Sequence, residues 1–287
     1  MESYCYTGEI LLEHRIPIEQ IRRLFSHKLS SHAFTSLYLW RNYLGLKLCL
    51  EDGFFTGKTN MYGENAWLFP CGEEKEKERF IKTRLEEDDF FLCYLREEDK
   101  IFLETRFPGR FRVWEEEASA EYLYDRKEYE TISGGKFSNM RKQIRHLQKE
   151  HVLEIRRLGD ENLNLAWEML NARVWETKAL DVAKDALAHR KELDISGILT
   201  FVDGKARSLV MGFPLTHDTL DGCLDCSDTS VRGLSYYGKR EFFLASKAQY
   251  RYLNAEEDLG SPGLRMMKRH MSPVGKNRVW NAKKIKG

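Results

Sequence analysis

The stretch DISGILTFVDGKARSLVMGFPLTHDTLDGCLDCSD, residues 194–228, contains three strand signals in succession. Each signal is a run rich in apolar and β-branched residues, and turn-forming residues separate one run from the next. Asp203-Gly204 lies between the first two runs and is typical of a tight hairpin turn. The stretch therefore predicts an antiparallel meander of three strands.

Helical patterns lie on both sides of this meander. Apolar residues at helical spacing predict helices over residues 136–150, 158–172 and 181–192 before it. The elements predicted after it are a helix over 231–249, a short strand over 250–253 and a helix over 259–271. This order predicts an α+β fold in which helices cover a central sheet.

The first half of the chain has a similar alternation of elements. Its predicted elements are a helix over 16–29, a strand-like aromatic stretch over 30–57, a strand over 66–72, a charged helix over 73–87, a strand over 90–95, a helix over 97–106 and strands over 111–115 and 120–125. A length of 287 residues favours two domains, each with its own core. We predict a boundary after Asp125, which gives domains 1–125 and 126–287.

The composition is that of a globular, highly charged chain, with 42% hydrophobic and 32% charged residues. No apolar run approaches the ~18 residues that a membrane-spanning helix needs. The N-terminal residues do not have the architecture of a signal peptide, so we expect a cytoplasmic protein with reduced cysteines. Cys223 and Cys226 form the one close pair, but no second pair completes a zinc site, and we predict no metal.

Charge is unevenly distributed along the chain. Residues 1–125 carry 17 Lys and Arg against 24 Asp and Glu, and residues 126–287 carry 29 against 21. The helix over 136–150 carries Lys136, Arg141 and Arg145, the latter two on one side, and the tail from Arg265 onward has no acid at all. Uncompensated cations of this kind favour an anionic partner. Two alternative interpretations are that these cations form an ordinary solvated surface, or that they pair with acids of the first half of the sequence and have a structural role.

Two segments are candidates for a site. Arg232-Gly233 lies at a junction between a strand and a helix, where backbone N–H groups and the helix dipole favour an anion. The second segment is NAEEDLGSPGLRMMKRHMSP, residues 254–273, which places three acids before a turn and four cations after it. Acids at a helix N-terminus also suit the helix dipole, so a purely structural role is the alternative. No Ser-His-Asp set, His-x-x-x-His pair or phosphate-binding loop with Lys-Ser/Thr is present.

Seven segments together resemble one known family, that of domains similar to the C-terminal catalytic part of phosphatidylglycerol lysyltransferase. These segments are TSLYLWRNYLGLKLCLEDGFF (35–55), RFPGRFRVWEEEASAEYLYDR (106–126), SGGKFSNMRKQIRHLQKEH (133–151), VDGKARSLVMGFPL (202–215), DTLDGCLDCSD (218–228), SVRGLSYYGKREFF (230–243) and NAEEDLGSPGLRMMKRHMSPV (254–274). The resemblance implies two tandem folds of the N-acetyltransferase (GNAT) type. It also implies transfer of an aminoacyl group from charged tRNA, with a lipid head group, a peptide or a small molecule as the acceptor. The membrane-embedded portion of the full-length enzymes has no counterpart in this sequence.

Site roles follow from this resemblance. It implies that Glu257 or Asp258 acts as the base or orients a substrate ammonium. Substrate binding is implied for Lys136, Arg141, Arg145, Arg232, Gly233, Asn254, Arg265 and Lys268. One alternative is an acyl-coenzyme A-dependent N-acyltransferase, although the loop Ser230-Val-Arg-Gly-Leu-Ser235 lacks two glycine-type features of the usual pyrophosphate loop. Another is a non-catalytic module that binds nucleic acid or another anion on a degenerate transferase fold.

Overall fold

The computed structural model describes residues 5–63, 66–172 and 177–286. By its contacts the chain divides into two units, Met1–Ala120 with Asn277–Gly287, and Glu121–Lys276. Each unit is built on its own mixed sheet flanked by helices, so the predicted α+β class with two sheet-and-helix units is confirmed.

The first unit contains four helices and a sheet in its described residues. The helices are α1 (Arg15–Leu24), α2 (Phe34–Trp40), α3 (Glu74–Arg84) and α4 (Glu97–Arg106). The strands from this half of the sequence are β1 (Cys5–Gly8), β2 (Lys47–Glu51), β3 (Phe54–Thr59), β4 (Ala66–Leu68), β5 (Cys71–Gly72), β6 (Phe91–Leu95) and β7 (Phe111–Glu115). The predicted strand at 90–95 and the helices at 73–87 and 97–106 are thus confirmed.

Helix α2 corrects the strand-like interpretation for part of residues 30–57. Its sequence FTSLYLW is rich in residues that favour strands, yet six of its seven residues are buried in a helix. A segment that is apolar on all sides can be buried as either element, and tertiary packing then overrides local propensity.

The second unit contains six helices and seven strands in its described residues. The helices are α5 (Arg126–Thr131), α6 (Ser138–Glu150), α7 (Leu163–Ala172), α8 (Thr177–Ala188), α9 (Leu234–Ala245) and α10 (Pro262–His270). The strands are β8 (Glu121–Asp125), β9 (Leu153–Arg157), β10 (Ser196–Val202), β11 (Lys205–Pro214), β12 (Thr219–Ser227), β13 (Tyr252–Asn254) and β14 (Gly275–Asn277). Asp203 and Gly204 have φ of 51° and 79°, as a two-residue hairpin turn requires, so the predicted meander is confirmed.

The last strand, β15 (Trp280–Lys284), belongs to the first sheet, where it pairs with β6 and β7. That sheet has the order β1-β2-β3-β4-β6-β15-β7, whereas the second has the order β14-β8-β13-β12-β11-β10-β9. The contacts therefore place β8 in the second unit and β15 in the first, on the other side of the predicted boundary in each case. The first sheet is thus completed by a strand from the C-terminal end of the sequence, whereas β8 opens the second unit.

Three cations of the tail pair with acids of the first unit. Arg278 forms two hydrogen bonds to the Glu115 carboxylate, at 2.8 and 2.5 Å. Lys283 and Lys286 lie 3.2 and 3.4 Å from Asp89. For these three cations the structural alternative applies, because acids of the first half of the sequence compensate them.

Strands β12 and β13 separate in the second sheet, and the separation positions the candidate site. The two strands are parallel and pair only from Thr219–Tyr252 to Asp221–Asn254, after which β12 continues to Ser227 paired with β11 but not with β13. A register shift between β11 and β12 leaves one extra residue in β12 at this point. Bulges of this kind bend a strand, and they recur next to functional sites.

Candidate functional site

A cluster of carboxyl groups lies where β12 and β13 separate. Glu121 opens β8, Asp221 is the last β12 residue paired with β13, and Asn254 ends β13. All three are buried. The Asn254 amide donates to Glu121 (Nδ2 to Oε2, 2.7 Å) and accepts from the Glu256 N–H at 2.8 Å. The amide therefore fixes the start of the acidic turn 256–258 against the sheet.

Asp221 is the least solvated acid of the cluster. It is fully buried, and neither of its carboxylate oxygens accepts a hydrogen bond from a donor among the described residues. Burial and the nearby charge of Glu256 raise its pKa well above the usual range. The pKa of Glu256 is raised to about 8 by its burial and by Glu257. Two neighbouring carboxyl groups cannot both ionise cheaply, and the raised pKa values favour retention of a proton by this pair near neutral pH.

Glu257 is a carboxylate of the cluster that is uncommitted and, unlike Asp221, not fully buried. It is half-buried, and no side chain among the described residues donates a hydrogen bond to its carboxylate. Burial and the charge of Glu121 raise its pKa to about 7. A carboxyl group with such a pKa exchanges a proton readily near neutral pH, which suits general base catalysis.

Asp258 is committed to other residues of the unit. Its carboxylate accepts two hydrogen bonds from Arg265, at 2.9 and 3.0 Å, one from the Tyr122 hydroxyl at 2.7 Å and one from the Gly260 N–H at 2.9 Å. Burial raises its pKa, but the hydrogen bonds outweigh burial and lower the pKa to about 2. Asp258 is therefore ionised at neutral pH and fully hydrogen-bonded.

Lys268, on the inner face of α10, holds the backbone of the acidic turn. Its ammonium donates to the carbonyl oxygens of Ala255, Glu256 and Glu257, which use all three of its protons. Glu256 has a φ of 56°, a left-handed conformation that costs a non-glycine residue free energy. Burial lowers the pKa of Lys268 to about 8, against the opposing effect of Glu256. Lys268, which the sequence predicts to bind substrate, here binds the backbone of the acidic turn.

The part of β12 beyond Asp221, which no longer pairs with β13, carries a second charged group. Asp225 accepts hydrogen bonds from Ser235 and Ser227, each at 2.6 Å, and lies 3.0 Å from the Lys239 ammonium. Lys239 also reaches the Met267 sulfur at 3.8 Å. Since Lys239 belongs to α9 and Met267 to α10, the two helices approach each other beside the separated strands.

The cations predicted for the helix over 136–150 divide into two groups. Lys136 forms an ion pair with Glu128 at 2.7 Å, and Arg141 donates to the carbonyl oxygens of Ile132 and Gly134. Arg145 is exposed and forms no ion pair with any residue that the structure describes. The same holds for two further α6 cations, Lys142 and Lys149.

The Arg232-Gly233 junction packs directly against α6. A side chain at Gly233, whose φ is 86°, would meet the Gln143 carbonyl oxygen at 2.6 Å, so only glycine permits this approach. Arg232 is exposed next to this contact. We call the exposed cations Lys142, Arg145, Lys149 and Arg232 the α6 surface.

A cavity of about 310 Å³ lies away from the acid cluster, between the C-terminal end of α7 and the loop after β12. Its lining includes Arg207 and Asp228, which pair with each other at 2.8 Å. The chemistry of the unit is concentrated at the acid cluster instead. Among the described residues, no group of three or more His, Cys, Asp or Glu side chains has a geometry that could hold a metal ion.

The structure brings together Asn254, Glu257, Asp258, Arg265 and Lys268 as predicted neighbours, and adds four groups that the sequence interpretation did not select. The added residues are Glu121, Tyr122, Asp221 and Glu256. The signal for two of them was present as an acid within a strand pattern, in EYLYD and in TLDGC. An acid at a position that the alternation assigns to the core is unusual without a partner.

Comparisons with known proteins were made for sequence and for structure. A sequence model described as "Phosphatidylglycerol lysyltransferase, C-terminal" matches residues 22–283. A search among curated protein sequences found no match. Among solved structures, a conserved protein of unknown function from Bacteroides thetaiotaomicron is similar with a TM-score of 0.85 and 24% identity, covering 98% of this chain and 100% of that one.

Two solved lysyltransferase-type structures share the fold. L-PGS from Bacillus licheniformis has a TM-score of 0.62 and 14% identity, covering 93% of this chain and 90% of that one. The C-terminal domain of a putative lysylphosphatidylglycerol synthetase from Agrobacterium fabrum has a TM-score of 0.62 and 13% identity, with coverages of 96% and 92%. The match of the family model over nearly the whole sequence shows that the chain belongs to the phosphatidylglycerol lysyltransferase C-terminal family.

Proposed function

We propose that this protein transfers an aminoacyl group from aminoacyl-tRNA to a hydroxyl or amine acceptor, and that the reaction takes place at the acid cluster between β12 and β13. The observation that carries the proposal is the uncommitted Glu257 carboxylate beside the buried Asp221–Glu256 pair. Membership of the family supports a function of the acyltransferase type. The donor, the acceptor and a cytoplasmic location, where charged tRNA is present, are parts of the proposal.

Glu257 acts as the general base in the proposed reaction. The acceptor O–H or N–H attacks the carbonyl carbon of the aminoacyl ester while Glu257 takes its proton. A new C–O or C–N bond forms, the ester bond to the tRNA ribose breaks, and the ribose oxygen receives the proton. Proton transfer by a positioned group of this kind contributes about 10²–10⁴ in rate.

The remaining acids bind the ammonium group of the aminoacyl donor. Among the described residues, the carboxyl groups of Asp221, Glu256 and Glu257 form no ion pair, and the cations that contact the acidic turn are Arg265 and Lys268. Of these cations, Arg265 is committed to Asp258 and Lys268 to backbone carbonyls. A substrate ammonium supplies the missing positive charge and the hydrogen-bond donors that Asp221 lacks.

The positioning residues are Asn254, Asp258, Arg265 and Lys268, which hold the acidic turn rather than touch the reacting atoms. Asn254 anchors its start through Glu121, Lys268 binds its carbonyl groups, and Asp258 fixes its end through Arg265. These contacts orient Glu257 while leaving its carboxylate accessible.

The α6 surface binds the phosphate backbone of the tRNA. Its four cations have no compensating acids among the described residues, and contacts of this type give affinity without reading sequence. Lys136 and Arg141 are nearby but are held by Glu128 and by backbone carbonyls, so we assign them to the support of this surface. We expect the affinity for tRNA to fall steeply as the salt concentration rises. Lys149→Gln removes one phosphate contact and should therefore reduce the slope of log affinity against log salt concentration by about one.

Label transfer tests the proposal. The purified protein is incubated with tRNAs charged with labelled amino acids and with candidate lipid, peptide and small-molecule acceptors, and products are identified by mass spectrometry. We expect transfer to one acceptor class, and its loss in Glu257→Gln. Transfer from acyl-coenzyme A but from no charged tRNA would establish the alternative donor. Retention of tRNA with no transfer from any donor would identify a binding module.

A further inference from the structure

We propose that the open edge of β9 binds the same edge of a second copy of this chain, in an antiparallel pair centred on Ile155. Strand β9 is the last strand of the second sheet, and among the described residues it pairs with β10 alone. A strand at the end of a sheet offers its unpaired N–H and C=O groups to another strand. The proposal concerns association of the protein with itself and does not depend on the transfer reaction.

The backbone groups of β9 alternate between β10 and the open side. The Leu158 N–H donates to the Gly197 carbonyl oxygen at 2.9 Å, and the Asp203 N–H donates to the Val152 carbonyl oxygen at the same distance. Even-numbered residues of this segment therefore direct their backbone groups toward β10, and odd-numbered residues direct theirs away from it. The residues with outward-directed groups are Leu153, Ile155 and Arg157.

A pair centred on Ile155 matches these outward groups with one another. Ile155 exchanges hydrogen bonds with Ile155 of the second copy, and each Arg157 N–H donates to the Leu153 carbonyl oxygen across the pair. The Arg157 carbonyl oxygen already accepts a hydrogen bond from Asn162 Nδ2 at 2.8 Å. The hydrogen bonds described here leave that contact intact, so the edge pairs without rearrangement of the chain.

The charges of the strand select this register. Glu154 and Arg156 are exposed on one face of β9, where Arg156 donates to Glu154 at 2.7 and 3.0 Å. With Ile155 at the centre, each Glu154 lies directly opposite Arg156 of the second copy. A shift of two residues places Arg156 opposite Arg156 in one direction and Glu154 opposite Glu154 in the other, and like charges directly opposite are destabilising. The strand is therefore complementary to itself in one register.

An exposed apolar residue lies at the end of the same face. Val152 directly precedes β9 and is 76% exposed. By the alternation of a strand its side chain shares the face of Glu154, and in the proposed register it lies opposite Leu158 of the second copy. Removal of apolar surface from water favours association. The pairing thus covers a valine that a single copy leaves in water.

The other face of β9 packs on the core of the second unit. Leu153 contacts the cluster that contains Leu147 of α6, and Ile155 contacts the cluster that contains Ile144 of the same helix. A two-fold axis perpendicular to the sheet keeps this face on the same side in both copies. The proposed dimer therefore joins two seven-stranded sheets into one and carries both α6 surfaces on one side of it.

Sedimentation velocity of the full chain over a range of protein concentrations tests the proposal. We expect a reversible equilibrium between monomer and dimer, because a pair of short strands buries a small area. Glu154→Arg places Arg opposite Arg, and Arg156→Glu places Glu opposite Glu. Each variant is expected to raise the dissociation constant of the dimer by about tenfold.

A mixture of these two variants separates the interface from effects within one chain. A strand with Arg at both positions is complementary to a strand with Glu at both, so an equal mixture of Glu154→Arg and Arg156→Glu should form dimers at least as tightly as the parent does. The double exchange should restore dimerisation as well. Each single variant loses its own contact between residues 154 and 156, and mixing cannot repair that contact.

Matched variants serve as controls. Lys205 is an exposed cation of β11, an interior strand, and Lys205→Glu should dimerise as the parent does. Val152→Thr keeps the shape of the side chain and should weaken the dimer about threefold. The same change at Val274, which is 45% exposed, should have no effect. All of these variants should keep the melting temperature of the parent.

A parent protein that is monomeric at every concentration would overturn the proposal and would favour an extended segment of another protein as the occupant of this edge. Dimerisation unchanged by both charge reversals, or not recovered when the two variants are mixed, would also overturn it. Equal weakening by Lys205→Glu would do the same. None of these results depends on transfer of an aminoacyl group, so the two proposals fail separately.

Discussion

Arg265 donates two parallel hydrogen bonds to Asp258, Nε to Oδ2 at 2.9 Å and Nη2 to Oδ1 at 3.0 Å. Asp258 is fully buried, while the Arg265 side chain is 30% exposed. Paired in this way the aspartate stays ionised in the interior of the unit, and the acidic turn before it has a fixed end.

Removal of Arg265 is therefore expected to destabilise the protein. Arg265→Ala leaves Asp258 buried with only Tyr122 and a backbone N–H as donors, which costs about 2–3 kcal/mol of the free energy of unfolding. Arg265→Lys keeps the charge but loses the paired geometry and should cost less. Urea denaturation at neutral pH measures both. Arg269→Ala, four residues along the same helix and exposed, should change stability by less than about 0.5 kcal/mol.

The same ion pair predicts an acid transition. The folded-state pKa of Asp258 is about 2, below its ordinary value of 3.8, so its contribution is present above pH 4 and is lost as pH falls toward 2. The parent protein should lose about 2 kcal/mol more than Arg265→Ala does over this window. Equal losses in the two proteins would contradict the assignment.

Asp221 is expected to have the opposite pH dependence. Its folded-state pKa is raised, so the folded protein binds a proton that the unfolded chain releases above about pH 4, and stability falls as pH rises. Asp221→Asn removes the titrating group and supplies an amide that can donate to Glu256. We expect this variant to be more stable than the parent at pH 8 and less dependent on pH, as measured by thermal melting. A lower stability of Asp221→Asn throughout the range would count against a raised pKa of Asp221 in the folded protein.

His27 and His32 predict a further acid sensitivity in the first unit. Their rings stack at 3.9 Å, both are buried, and neither nitrogen of His27 has a hydrogen-bond partner among the described residues. Burial lowers both pKa values, that of His32 to about 3. Because the unfolded chain binds protons below about pH 6.5, stability should fall from there toward pH 4, by about 2 kcal/mol per histidine at pH 5.

His27→Phe tests this pair. It keeps a ring in the stack and removes two nitrogens that have no partner, so stability at pH 7 should be unchanged or higher. Its loss on acidification to pH 5 should be smaller than that of the parent. A loss as large as in the parent would place the acid sensitivity elsewhere.

Trp280 is expected to be essential to the stability of the first unit. It is 4% exposed in β15 and belongs to the core of that unit with Phe54, Trp67 and Leu103. Trp280→Ala should cost about 3–5 kcal/mol. Ile285→Ala, just beyond the strand at an exposed position, is the control and should have little effect on the urea midpoint. Equal effects would argue against a structural role for the C-terminal strand.

The sequence predicted most elements because their patterns are local. The alternation and the Asp-Gly turn of residues 194–228 defined the meander, and amphipathic spacing located α3, α4 and α6. Strand β15 was missed because WNAKK is short and reads as part of a basic tail, although Trp280 and Ala282 are buried. Its place in the first sheet depends on pairing with β6, almost 190 positions earlier in the sequence.

The candidate site was only half predictable for a similar reason. Glu257, Asp258, Arg265 and Lys268 lie within one segment, and its charge order drew attention to them. Glu121 and Asp221 come from distant strands, and only the sheet brings them together. Which acid is committed and which is uncommitted depends on individual hydrogen bonds, such as those from Arg265 to Asp258, and residue type alone does not encode them.

The most direct test of the account is the pH dependence of single-turnover discharge of aminoacyl-tRNA in the presence of its acceptor. If Glu257 is the base, the rate should rise with pH through about 7 and then level off, and Glu257→Gln should lower the plateau by about 10²–10⁴. Glu150→Gln, at an exposed position at the end of α6, is the matched control and should behave as the parent does. A parent protein that discharges no charged tRNA, or a Glu257→Gln variant with the parent's rate and pH profile, would contradict the central claim.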